Sequence, residues 1–70
     1  MTDEADKPIT RREKVVIEYL CLGWNNKEIA IAMAISPRTV ESYREMIYKK
    51  MRVRNAVELL RKVYRIGESA

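Results

Sequence analysis

Seventy residues, 47% of them apolar and 34% charged, make one small domain, because a chain this short buries only about 60% of the surface it exposes unfolded and has no room for a second core. One cysteine, Cys21, and no histidine exclude an internal disulfide, remove the usual zinc spacings, and take away the usual general base, so metal, cofactor and His-based catalysis are not expected. The net charge of +4 is concentrated: Arg38, Arg44, Lys49, Lys50, Arg52 and Arg54 face only Glu41 and Glu45 between Ser36 and Arg54, which fits a polyanionic partner or a solvated basic surface equally.

The N-terminus, MTDEADKP, is acidic and polar and has no signal-sequence pattern. No apolar run approaches the roughly 18 residues needed to cross a bilayer. The expectation is a cytoplasmic protein that does not associate with membrane, with residues 1–8 as a flexible tail and residues 9–67 as the folded domain. Thr10 with Glu13 is the first of three capping boxes, in which a side chain at the helix start and a Glu three residues on satisfy each other's unpaired amides. It starts a helix near 11–22, which Gly23 closes in a left-handed conformation. Trp24 reads as a packing cover over the helix ends rather than a base-stacking residue.

Asn25 with Glu28 starts a second helix near 26–33, and Ser36 followed by Pro37 starts a third near 37–51, where the missing proline N–H has no partner to lose. Asn55 with Glu58 starts a fourth near 56–66, with Gly67 as its end and residues 68–70 as a short tail. No strand pattern competes. The fold class is all-α, a four-helix bundle containing a helix-turn-helix, because Ala34, Ile35 and Ser36 are too few for antiparallel packing and suit a steep crossing. Apolar residues at about 100° per residue place Val40, Tyr43, Ile47 and Met51 inward on the third helix. They meet Ile29, Ala30 and Met33 of the second helix, Ile9, Val16, Ile17 and Leu20 near the first, and Leu60 and Val63 of the last. Ala30 is small where the two helices of the motif approach most closely.

The opposite side of the third helix holds Arg38, Ser42, Glu45 and Lys49, flanked by Glu41 and Arg44. Such a face suits the major groove, where Arg pairs with guanine, Ser with several edges, and Glu accepts from the cytosine amino group. A generic amphipathic helix has the same pattern.

Four strings in order decide more: Thr10, Arg12 and Glu13; Gly23, Asn26, Lys27, Glu28, Ile29 and Ala30; Ile35, Ser36, Thr39 and Val40; Val53, Arg54, Asn55, Glu58 and Leu59. In composition and spacing they resemble, over about residues 9–67, the DNA-binding domain of the LuxR/FixJ family of bacterial transcription regulators. The resemblance implies a sequence-specific regulator that binds double-stranded DNA with its third helix in the major groove. It implies base contacts from Glu41, Ser42, Arg44 and Glu45, and phosphate contacts from Lys27, Arg38, Thr39, Lys49, Lys50 and Arg54. RNA polymerase is a further candidate partner.

Two departures from the family pattern stand out. Ala34 occupies a turn position where the family commonly has Gly or a polar residue, and a left-handed alanine costs on the order of 1 kcal/mol relative to glycine. Glu41 stands where the family commonly has Lys or another non-acidic residue. Glu41 with Arg38 or Arg44, and Glu45 with Lys49, have the spacing of helical salt pairs, so the two acids either pair locally or accept from cytosine.

Seven of the eleven residues from Ala56 to Ile66 are apolar and span an arc of about 180°, wider than the roughly 100° stripe that core packing needs. In the LuxR/FixJ family the corresponding helix often forms a two-fold contact, which implies a homodimer on DNA through Val57, Leu60 or Tyr64. The alternative is that the first helix covers both wings. Met1 favours a free-standing small regulator over an excised C-terminal domain. Other readings are a sigma-factor promoter-binding region, and a helix-turn-helix protein-interaction module or anti-regulator with weakened DNA binding. Catalysis is the weakest class, since Cys21 has no base to activate it and Ser36 and Ser42 have capping and surface roles.

Overall fold

A computed structural model describes residues 7–69, with side chains through residue 65, so the acidic positions Asp3, Glu4 and Asp6 lie outside it. Four helices follow one another: α1 (Arg11–Cys21), α2 (Asn26–Met33), α3 (Pro37–Met51) and α4 (Ala56–Ser69), with no strand among the described residues. The caps explain the starts. The Thr10 hydroxyl accepts from the Glu13 amide at 3.2 Å while the Glu13 carboxylate accepts from the Thr10 amide at 2.8 Å. Asn25 and Glu28 repeat the arrangement at 2.9 Å in both directions, and the Ser36 hydroxyl accepts from Thr39 at 3.1 Å ahead of Pro37. At Asn55 only half of the expected box forms. Its side chain accepts from Glu58, but the Glu58 carboxylate reaches the Arg54 amide at 2.8 Å, one residue upstream. Each such cap stabilises its helix by about 1 kcal/mol.

Three helix ends share one device. Gly23, Ala34 and Arg52 have positive φ, at 85°, 57° and 57°. The amide that follows each bonds back over the turn: Trp24 to the Tyr19 carbonyl at 3.2 Å, Ile35 to Ala30 at 3.0 Å, and Val53 to Tyr48 at 2.9 Å. In this geometry an apolar residue just past the end packs back on its own helix. Trp24 does so by stacking on Tyr19, with ring centroids 4.5 Å apart and planes 3° from parallel. α4 departs from expectation, running through Gly67 to Ser69. A glycine inside a helix costs about 1 kcal/mol against alanine, which weakens a helix without ending it.

Val16, Leu20, Ile29, Ala30, Val40, Ile47 and Leu59 form the buried centre, with Ile17, Met33, Tyr43, Met51 and Val63 packed against it. α3 packs on α2 across the turn and on α1, while α4 lies against α1 and α3. Of the two core positions expected on α4, Val63 packs on the centre, whereas the structure replaces Leu60 with Leu59, which is fully buried. Leu60 and Ile9 are half-buried and are not among the side chains packed on the centre. The reason is rotational: an apolar arc of 180° does not state which half faces inward until the helix docks. Among the described residues no helix is long and apolar enough to cross a membrane.

Candidate nucleic-acid interface

With Val40 and Ile47 fully buried, the rotation of α3 is fixed, and Arg38, Glu41, Ser42, Glu45 and Lys49 are all exposed. The helix is thus a rigid strut seated on α1 and α2, with a polar face turned to solvent. Ser42 donates to the Arg38 carbonyl at 3.3 Å, and the Thr39 hydroxyl shares a 2.9 Å bond with that of Ser36, which holds the first turns of the helix in place.

Arg44 is placed differently from Glu41, Ser42 and Glu45. It is half-buried, its Nε and Nη2 donate to the Tyr48 hydroxyl at 3.0 and 2.9 Å, and its Nη1 donates to Asn26 Oδ1 at the start of α2. The guanidinium also lies over the Tyr48 ring, 5.9 Å from its centroid. One of these bonds crosses from α3 to α2 and the other two hold the guanidinium against Tyr48 of its own helix, so Arg44 braces α3 from the side.

Lys50 is likewise turned inward. Its Nζ lies 2.7 Å from Glu13 Oε1, both side chains being only 5% exposed, and it also donates to the Pro8 carbonyl at 3.2 Å. Burial pushes the Glu13 carboxyl up, but the bonds from the Lys50 ammonium and from Thr10 outweigh it and hold the group below the usual carboxylate range. A charge enclosed in this way ties α3 to the start of α1.

The remaining expected contacts are on the surface. Lys27, Arg38, Thr39, Lys49 and Arg54 are exposed, and the Arg54 side chain, 90% accessible, approaches Glu58 no closer than 3.9 Å. Neither Glu41 nor Glu45 forms an ion pair with another described residue, although both were spaced for one. On α4, Val57 and Tyr64 are 59% and 57% exposed, and with Leu60 they line a shallow groove of about 390 Å³. Among the described side chains of the arc, Leu59 and Val63 face the buried centre, whereas Val57 and Tyr64 do not.

Sequence reasoning passed over Arg11 and Arg12 as functional residues. Both are exposed, and they line a groove of about 680 Å³ with Thr39, Ser42 and Met46 of α3. The signal was present as adjacent arginines in the first turn of α1, where positive charge opposes the helix dipole. The thiol of Cys21 is pushed up by burial and by the Glu18 carboxylate, which keeps it protonated and a poor nucleophile. Among the described residues no three His, Cys, Asp or Glu side chains gather as a metal site.

Residues 7–63 match the model of the family described as bacterial regulatory proteins, luxR family. The chain is 42% identical over 57 residues to the transcriptional regulatory protein UhpA of Escherichia coli strain K12, covering 81% of this chain and 29% of that protein. It is 45% identical over 53 residues to the transcriptional regulatory protein FixJ of Azorhizobium caulinodans, covering 76% of this chain and 25% of the relative. Against the transcriptional regulatory protein DesR of Bacillus subtilis strain 168 the identity is 43% over 53 residues, 76% of this chain and 27% of DesR. The chain thus spans between a quarter and a third of the length of these three relatives. No solved structure matches it significantly.

Proposed function

Because the chain belongs to the luxR family of bacterial regulatory proteins, a family of DNA-binding transcription regulators, we propose that it is a sequence-specific regulator that places α3 in the major groove of duplex DNA. The observation that carries this reading is the outward face of α3, with Arg38, Ser42, Glu45 and Lys49 exposed on a helix whose other side is locked by Val40 and Ile47. Glu41, Ser42 and Glu45 meet base edges, the two acids accepting from cytosine amino groups. Lys27, Arg38, Thr39, Lys49 and Arg54 meet phosphates. Arg44 and Lys50 hold the helix at its working angle from either side.

Two copies bind together through Val57, Leu60 and Tyr64, which line one groove in which Val57 and Tyr64 are left exposed within one chain. A two-fold pair of domains matches two inverted half-sites about one helical turn apart. Selection of bound duplexes from a random pool tests the proposal: one inverted repeat is expected to be enriched. A second reading, a protein-interaction module with weakened DNA binding, draws on the unpaired Glu41 and Glu45. Absence of any enrichment, with affinity for random DNA that barely falls as salt rises, would favour it.

A further inference from the structure

A helix about 10–12 Å across fills a major groove about 12 Å wide, so phosphates of one strand run along each of its sides. On α3 the outward face is flanked on one side by Glu41 and Tyr48, next to Asn26 and Lys27 at the start of α2. On the other side Thr39 and Met46 border the groove shared with Arg11 and Arg12 at the start of α1. The reading helix therefore lies between two helix starts that each carry an exposed basic residue, Lys27 on α2 and Arg11 and Arg12 on α1. On the α1 side only Thr39 has so far been given a phosphate, and no charged residue has.

We propose that Arg11 and Arg12 form a phosphate-binding site for the DNA strand opposite the one met by Lys27. The proposal rests on the placement of α3 in the major groove. Three observations support it. Both arginines are exposed and line the groove beside Thr39, which is itself assigned to a phosphate. Among the described residues the one acid lining that groove, Glu13, is neutralised by Lys50 at 2.7 Å, so Arg11 and Arg12, with Lys7, set the sign of the local field of the described lining. Neither arginine forms an ion pair with another described residue, and both occupy the first turn of α1, where cations oppose the helix dipole.

The test is the salt dependence of binding to a random-sequence duplex. Each phosphate contact contributes about 0.9 to the slope of log affinity against log salt. R11A/R12A is therefore expected to lower the slope by about 1.8, so that the affinity advantage of the unmodified chain shrinks about tenfold between roughly 50 and 200 mM salt. R11K/R12K should restore the slope, because a phosphate also accepts a point charge. R38A serves as the control on α3. A slope unchanged in R11A/R12A but reduced in R38A would overturn this site and leave the groove reading standing. No binding by the unmodified chain even at low salt would overturn both. Should the double variant melt below the assay temperature, R12Q alone should show half the change, and an unaltered slope there counts against the site.

Discussion

Glu13 shows how one residue can belong to two levels of structure. Its carboxylate completes the cap of α1 and, through Lys50, fixes α3 to that helix start. Because its folded-state pKa is depressed, the pair contributes stability that is present above the unfolded value of about 4.3 and is lost as pH falls through the folded value. Denaturant unfolding should therefore show stability declining below about pH 5, with that part of the decline missing in Glu13→Gln. At neutral pH Glu13→Gln leaves an enclosed ammonium without its partner, and a loss of about 3–5 kcal/mol is expected. Adding Lys50→Met should recover a share of it, since an apolar side chain tolerates the site that an unpaired charge does not. None of this was legible locally. Thr10 and Glu13 announce a cap through their spacing, but nothing near Lys50 in sequence distinguishes a lysine that reaches a buried acid from one that waits for phosphate.

At the scale of the element, the helix starts could be read and the ends only in part. Thr10, Asn25, Ser36 and Asn55 mark their helices because capping needs particular side chains at fixed offsets. The ends depend on backbone conformation, which Gly23 signals and Arg52 does not. Ala34 was suspect from its place in a three-residue turn, and it does adopt the left-handed conformation, at φ 57° and ψ 44°. Ala34→Gly should relieve a strain of about 1–2 kcal/mol, partly offset by the greater freedom of glycine when unfolded. A net gain of about 0.5–1 kcal/mol is expected, seen as a rise in Tm of about 2–8 °C. A fall in Tm would mean that the alanine methyl group packs favourably enough to outweigh the strain. On α4 the arc of apolar residues was visible, but its division into Leu59 and Val63 inward and Val57 and Tyr64 outward was fixed only by docking on α1 and α3.

For the molecule as a whole, the fold serves to hold one helix still. α1 and α2 brace α3 through Lys50 and Arg44, one on each side, and α4 turns an apolar strip away from the core. The outward face of α3 was legible in the sequence because periodicity assigns it once Val40 and Ile47 are inside. That Arg44 braces rather than faces outward was not, since its partner Asn26 lies 18 residues away. The central claim is that this outward face reads bases. It is tested most directly by measuring affinity for the selected site with each base pair replaced in turn, for the unmodified chain and for Ser42→Ala and Glu45→Ala. Each variant should lose discrimination of about 1–3 kcal/mol at one base pair in each half-site and keep it elsewhere. A uniform change in affinity across all the substituted sites, with every preference retained, would contradict the account.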